Sequence, residues 1–187
     1  MSGPASVRLA RTSDVDDVAG VQIRAWRSAY ADLLPADVID SLDASDIALE
    51  WGRALLMPGA HRLLVAVDED GSVVGAASVG PSADPDARDA GEIELFVIDP
   101  DHRGHGHGSR LLHACVDLLA QSGHVEALTW IPLADEPRRA FLLSAGWGPD
   151  SAYRDLSVFG EQVIREVRLG TRIVDDVVTR AGESPDS

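Results

Sequence analysis

The 187-residue sequence contains no lysine and no asparagine, and its single cysteine is Cys115. Without lysine the chain can form no lysine Schiff base and no phosphate loop of the GK[ST] type, and one cysteine excludes a zinc ribbon and an intramolecular disulfide. No apolar stretch approaches the roughly 20 residues that a membrane-spanning helix needs. The first residues also lack the apolar centre of a secretory signal. We therefore expect a cytoplasmic protein without a membrane partner.

Positive charge is scarce as well. Sixteen arginines stand against 31 acidic residues, which gives a net charge of −15. Nucleic acids and anionic membranes bind to basic faces that neutralise phosphates, so neither is an expected partner. A negative potential instead attracts cations. The charge thus favours a small cationic substrate.

Hydrophobic periodicity predicts one α/β domain of alternating helices and strands. The predicted helices cover about residues 15–29, 45–56, 109–121 and 138–145. The predicted strands cover about residues 7–10, 62–67, 72–79, 92–98, 125–131, 153–158 and 163–169. Asp70-Gly71 marks a hairpin turn between the second and third strands. Residues from about Ala181 are polar and are expected to be disordered.

The loop between the fourth predicted strand and the third predicted helix is the most informative part of the chain. Gly104, Gly106 and Gly108 alternate there, so the N–H groups at the helix start can approach a ligand with no Cβ in the way. Arg103 adds a fixed positive charge, and the combination suits a pyrophosphate. A tight turn that binds nothing would carry the same glycines. A dinucleotide site would require glycine where Ser109 stands.

These residues resemble the acetyl-CoA motif of the GCN5-related N-acetyltransferases. In that family Arg or Gln is followed by two residues, Gly, one residue, and Gly or Ala, which Arg103, Gly106 and Gly108 match. The resemblance covers about residues 7–170. It implies a mixed, mostly antiparallel sheet that splays between its fourth and fifth strands, with helices on both faces. It also implies a single domain over 1–170, followed by a C-terminal extension at 171–187.

The resemblance further implies acetyl-CoA as co-substrate, and we expect no metal. The pantetheine arm would pair with the backbone of Phe96, Val97 and Ile98, and the pyrophosphate would lie on Arg103 and the loop that follows. That loop consists of Gly104, His105, Gly106, His107, Gly108 and Ser109. The implied activity is acetyl transfer to a primary amine by direct attack. Acetylation of a protein N-terminus or lysine, and acyl-CoA binding without turnover, stay open as alternatives.

Two acids of the fourth predicted strand are candidates for the base that the resemblance implies. An amine must lose a proton before it attacks, and a carboxylate that orders a water can accept that proton. By distance from Arg103, Glu92 lies nearest the position of the family's glutamate, and Glu94 is second. Strict alternation places both on one face with Phe96 and Ile98. Strand acids that only face solvent or pair with arginine would show the same pattern.

Two positions depart from the family pattern. Leu142 stands where many members have a tyrosine that protonates the leaving thiolate, and Asp135 replaces an asparagine that often contacts the cofactor. Solvent, Ser144 and Tyr153 are the alternative proton donors.

Several other residues have two possible roles. Trp26 and Tyr30, four residues apart on the first helix, either pack in the core or contact the acceptor. The spacing of His102, His105 and His107 would permit a metal site, but side chains of a phosphate loop radiate outward. Cys115 is expected to be a small core residue. A homodimer is left open.

Overall fold

A seven-stranded sheet with helices on both faces forms the fold in the computed structural model, which describes residues 4–158 and 162–173. The strands are β1 (Ser6–Leu9), β2 (Arg62–Val67), β3 (Val73–Pro81), β4 (Gly91–Ile98), β5 (Glu126–Pro132), β6 (Gly148–Val158) and β7 (Gln162–Arg172). The helices are α1 (Val15–Tyr30), α2 (Ala36–Asp40), α3 (Ala44–Leu56), α4 (His107–Gln121) and α5 (Glu136–Ser144). The region beyond Ala181, expected to be disordered, lies outside the described residues.

The element order agrees with the sequence prediction apart from local differences. Helix α2 was not predicted, because five residues after Pro35 are too few to show a helical period. Helix α4 begins at His107, two residues before the predicted start, since the chain leaves the loop at Gly106 in a left-handed conformation.

Within the described ranges, no helix has both the length and the apolar character needed to cross a membrane. The cytoplasmic location stays a prediction.

The strands lie in the order β1-β2-β3-β4-β5-β7-β6, and all neighbours are antiparallel except β4 and β5. These two parallel strands pair only where Gly91–Ile93 meets Ala127–Thr129, although β4 continues to Ile98 and β5 to Pro132. The buried Thr129 hydroxyl donates a hydrogen bond of 2.8 Å to the Ile93 carbonyl at the last paired position. The mostly antiparallel sheet with a splay between its fourth and fifth strands is thus confirmed.

A β-bulge interrupts the motif strand. Ser78 of β3 pairs with Leu95, and the next residue, Val79, pairs with Ile93. Glu94 is therefore an extra residue in β4 that has no pairing position on β3. A bulge of this kind changes which face the following side chains occupy.

The bulge corrects one sequence-based expectation. Ile93 packs on the α4 side of the sheet together with Phe96 and Ile98, although strict alternation puts it on the opposite face. Leu95 and Val97 instead pack against α1. The expectation that Glu92 and Glu94 share a face with Phe96 and Ile98 is therefore wrong, because the alternation shifts at Glu94.

Replacing Thr129 by valine tests the bond at the last paired position. The variant keeps the shape of the side chain but leaves the buried Ile93 carbonyl without its donor, which costs about 1–3 kcal/mol. We expect the free energy of unfolding in urea to fall by that amount. Thr171→Val is the control, because the Thr171 hydroxyl makes only an exposed bond of 3.5 Å to Gly146, and it should change stability by less than about 0.5 kcal/mol. Equal effects of the two changes would contradict the importance of the bond.

Candidate active site

One cavity, which we call the first cavity, lies where β4 runs into the glycine-rich loop, bounded by α1 and the start of α5, and has a volume of about 660 Å³. Eight of the residues predicted to bind a cofactor line it: Phe96, Val97, Ile98, Arg103, Gly104, Gly106, Gly108 and Ser109. The predicted residues His105 and His107 are not among the lining residues. Ser28 and Ala29 of α1, with Asp32 just after the helix, contribute another wall.

The loop of this cavity has the backbone shape that its glycines permit. Gly104 and Gly106 have φ of +80° and +78°, a conformation that residues with a Cβ rarely adopt. Helix α4 then begins at His107, so its first N–H groups, which have no intrahelical acceptor, lie at the cavity. Together with Arg103, this helix start can hold an anionic group such as a pyrophosphate.

An ion pair between the exposed Arg24 and the buried Asp99 ties the same loop to helix α1. The Nε and Nη2 atoms of Arg24 donate to one oxygen of Asp99 at 2.8 and 2.6 Å, and the other oxygen accepts from the backbone N–H of Asp101. Burial alone would raise the pKa of Asp99, but these bonds hold it below its usual value. Two walls of the cavity are thereby fixed to each other. Nothing in the sequence pattern pairs residues 75 positions apart, so sequence analysis missed this contact.

The edge of β4 beside the cavity continues past the point where β5 leaves it. Phe96, Val97 and Ile98 follow the last paired position, Ile93, and line the cavity. The ring of Phe96 stacks on Phe141 of α5, with ring centres 5.9 Å apart. An extended chain can therefore pair with this edge as an added strand.

The three loop histidines occupy different environments. His102 lines the first cavity, with its ring nitrogens 3.8 Å from Asp99 and 3.9 Å from Asp68. His105 is exposed, whereas His107 is buried, and burial followed by the nearby Arg110 lowers the pKa of His107. In the described part of the chain, no three His, Cys, Asp or Glu side chains form a group that could hold a metal ion. Cys115 is buried on α4, and its burial raises the pKa of the thiol to about 12.

The second cavity lies over β5, β6 and β7 and has a volume of about 510 Å³. Glu92 is part of its lining and is only 8% exposed; one of its carboxylate oxygens accepts a bond of 2.9 Å from the Ser82 hydroxyl. Glu94 belongs to neither lining. It accepts from Ser78 and pairs with His61 at 3.0 Å, with 41% of its side chain exposed. Only Glu92, of the two candidate acids, therefore faces a cavity.

Glu92 stands at the apex of the split in the sheet. It precedes Ile93, the last β4 residue that pairs with β5. Beyond that point the first cavity follows the free edge of β4, while the second cavity lies over β5 and β7. Of the two cavities, Glu92 lines only the second.

Three residues of the second cavity were missed by sequence analysis. Trp130 lies between two guanidinium groups, with Arg154 Cζ at 4.5 Å and Arg168 Cζ at 5.6 Å from its ring centre. Strand register brings them together, because Trp130 of β5 pairs with Arg168 of β7, and β6 lies beyond β7. Positions so far apart in sequence give no local signal.

Helix α1 borders the first cavity through Ala25, Ser28 and Ala29, but the two aromatic residues predicted to contact an acceptor are not among the lining residues of either cavity. Trp26 packs against the core and meets Tyr30 edge to face, with ring centres 6.3 Å apart. Burial raises the pKa of Tyr30, and the charges of Arg138 and Glu166 also act on it. Tyr30 therefore lies near residues of α5 and β7.

The two positions that depart from the family pattern have different surroundings, since Asp135 lines the first cavity and Leu142 lines neither. Leu142 is only 2% exposed and lies in the core. Its side chain has no proton to donate. Asp135 caps α5 by accepting from the Arg138 N–H at 3.1 Å, and it also pairs with the Arg138 side chain. The Ser144 hydroxyl donates to the Phe141 carbonyl, whereas Tyr153 is exposed and lines the second cavity.

The split parallel pair and the glycine-rich loop at a helix start define an acetyltransferase fold. The model of the acetyltransferase (GNAT) family matches residues 23–147, and the chain belongs to that family.

Known proteins of similar sequence and structure agree with this assignment. The uncharacterized N-acetyltransferase YuaI of Bacillus subtilis (strain 168) is 27% identical over 165 residues, which is 88% of this chain and 91% of that protein. The structure of yncA from Salmonella typhimurium, solved with its cofactor acetyl-CoA, superposes with a TM-score of 0.67 at 19% identity over 99% of both chains. The paia N-acetyltransferase of Thermoplasma acidophilum in complex with coenzyme A gives 0.62 at 15% identity, over 88% of this chain and 98% of that one.

A glutamate at Gly108 tests whether the first cavity takes an anionic ligand. A Cβ at Gly108 would meet its nearest atom, on Phe141, at an ordinary 3.5 Å, so the helix should still form. The added carboxylate would occupy the helix start and repel a phosphate. We expect calorimetry to show at least a tenfold loss, on the order of 1.4 kcal/mol, in affinity for acetyl-CoA.

Gly52→Glu is the matched control, since it adds the same charge to helix α3, away from the cavity, where a Cβ meets nothing within 4 Å. Unchanged affinity in a folded Gly108→Glu protein would show that acetyl-CoA binds elsewhere.

Proposed function

We propose that the protein transfers an acetyl group from acetyl-CoA to the primary amine of a small molecule. The observation that carries this proposal is the buried carboxylate of Glu92 at the apex of the split between β4 and β5, where the lining of the second cavity begins. Family membership supplies the acyl transfer, and the two cavities supply separate places for the two substrates.

The residues of the first cavity fit acetyl-CoA. The helix start and Arg103 offer donors and positive charge for the pyrophosphate, and the free edge of β4 offers backbone groups for the pantetheine amides. A cavity of about 660 Å³ is within the range of sites for small molecules and cofactors. The absence of a metal from the reaction stays a prediction.

Acetyl-CoA supplies an activated acyl group: the amine nitrogen forms a bond to the acyl carbon, the carbon–sulfur bond breaks, and the sulfur leaves with the electron pair. Glu92 is placed to accept the amine proton through an ordered water. Its second carboxylate oxygen has no recorded partner among the described residues, while Ser82 holds the first. Glu94 is the weaker candidate, because its carboxylate already accepts from Ser78 of β3 and pairs with His61.

The departing thiolate takes its proton from solvent in this proposal. Leu142 is buried and has no proton to donate. The Ser144 hydroxyl already donates to the Phe141 carbonyl of its own helix. Tyr153 lines the second cavity rather than the first. A thiolate of coenzyme A is a fair leaving group that needs little help from an acid.

The acceptor is proposed to be a small cationic molecule because a net charge of −15 attracts ammonium groups. Acetylation of a protein N-terminus or lysine would need a long open groove, whereas the second cavity has a volume of only about 510 Å³. Binding of acyl-CoA without turnover is the other alternative. Under this alternative the protein binds acetyl-CoA, but no amine causes release of the thiol.

Glu92→Gln and Glu94→Gln separate the two acids. With an amine panel and saturating acetyl-CoA, we expect Glu92→Gln to lower kcat by about 10²–10⁴-fold and to leave the affinity for acetyl-CoA unchanged, because only the proton acceptor is lost. Glu94→Gln should retain wild-type turnover and serves as the matched control. The measurement is thiol release as a function of pH.

If Glu92→Gln keeps the wild-type rate and pH profile, Glu92 is not the base. If the wild type binds acetyl-CoA but no amine in the panel accelerates thiol release, the module without turnover replaces the enzyme.

A further inference from the structure

The second cavity contains two arginines that differ in how much of their hydrogen-bonding capacity is used. Arg168 donates through Nε to Asp150 at 2.6 Å and through Nη1 to Asp84 at 2.7 Å, and its side chain is 12% exposed. Although burial lowers it, these two carboxylates raise the pKa of Arg168 above its usual value. Arg168 therefore joins β7 to β6, through Asp150, and to the loop between β3 and β4, through Asp84. Its role is structural.

Arg154 is held in place, but its outer edge is free. Its Nε donates to the buried Glu166 at 2.7 Å, and its Cζ lies over the Trp130 ring, 4.5 Å from the ring centre. Its two Nη atoms make no hydrogen bond to the described residues, and 42% of the side chain is exposed. Stacking on Trp130 and the bond to Glu166 together fix the orientation of these donors.

A guanidinium fixed in this way is suited to a planar or tetrahedral anion. Its two Nη groups point in parallel and match two oxygens of a carboxylate or a phosphonate, which gives a short, charge-assisted pair. Little side-chain entropy is lost on binding, because the side chain is already ordered. The free edge of Arg154 is therefore a recognition element and not only a partner for Glu166.

The same cavity holds the carboxylate of Glu92. Its lining thus offers two acids, Glu92 and Asp86, and a cation on β6, whereas Asp84 is paired with Arg168. The nearby acids Asp150 and Glu166 are paired with Arg168 and Arg154. The net charge of the whole chain acts at long range and is screened by salt, whereas paired groups within a cavity are screened less. The local lining decides which ends of a ligand are recognised.

We propose that the acceptor carries, besides its amine, an anionic oxygen group that the free Nη edge of Arg154 binds. This inference rests on the proposed function, whose site it specifies. The substrate class is a small molecule with an ammonium group and a carboxylate or phosphorus oxyanion. This inference therefore revises the acceptor of the proposed function: the molecule is a zwitterion, and only its ammonium end is attracted by the charge of the chain.

The test compares free α-amino acids, their α-amides, the corresponding decarboxylated amines and aminoalkylphosphonates as acceptors. We expect the wild type to prefer the best carboxylate or phosphonate over its neutral partner by at least about tenfold in kcat/KM, because the neutral partner cannot form the charge-assisted hydrogen bonds to Arg154. Comparing the carboxylates with the phosphonates shows which anion is recognised. Either preference supports the proposal, and equal use of the neutral partners overturns it.

Arg154→Gln should remove this preference by raising KM for the charged acceptor. The ratio of kcat/KM for the charged acceptor to kcat/KM for the neutral one should then be near one. Arg165→Gln is the matched control, since Arg165 also lies over an aromatic ring and pairs with a carboxylate, Asp155, but is not among the residues lining the cavity. If the first variant unfolds because Glu166 loses its partner, Arg154→Gln combined with Glu166→Gln removes the uncompensated charge and gives the same comparison. A retained preference, or an equal loss in Arg165→Gln, overturns the assignment.

Calorimetry with the same panel, in the presence of coenzyme A, distinguishes failure of this proposal from failure of the proposed function. Anion-dependent binding that Arg154→Gln abolishes, without thiol release by any amine, would uphold the recognition site and reject the enzyme. Turnover of neutral amines alone would uphold the enzyme and reject the recognition site. If no carboxylate or phosphonate binds, the proposal is wrong.

Discussion

The parting of β4 from β5 after Ile93 is the constraint on which the site depends. Three paired residues on each strand, closed by the bond from Thr129 to the Ile93 carbonyl, hold the strands together at one end, and beyond them each strand follows its own course. The opening leaves a free strand edge on β4 and places the first cavity beside it. It also leaves Glu92 at the apex, where the second cavity begins. A sheet paired along its full length would have neither the edge nor the apex.

The chain is acidic, yet each proposed anion site is built from local positive charge. Arg103 and the start of α4 face the first cavity, and Arg154 faces the second. Other arginines neutralise buried carboxylates, as Arg24 does for Asp99. Because arginine supplies several donors in a fixed plane, one side chain can anchor a carboxylate through Nε and still present its outer edge to a ligand.

Sequence analysis located the parts of the site that depend on local signals. The glycines of the loop were recognisable because their spacing and the following helix lie within a few residues, and eight of the predicted residues line one cavity. The bulge at Glu94 was not predictable from alternation, because pairing with β3 creates it. Trp130, Arg154 and Arg168 were missed for a related reason: only the β5-β7-β6 order brings them together. Long-range register was the missing information.

The most direct test of the account is a crystal structure of the protein with a thioether analogue of acetyl-CoA, which binds but cannot transfer its acyl group. The account predicts that the pantetheine arm pairs with the backbone of Phe96–Ile98 and that the acyl carbonyl lies at the split, with Glu92 beside it and the second cavity open in front of it. An analogue bound with its acyl group away from Glu92, or one that leaves the edge of β4 unpaired, would contradict it.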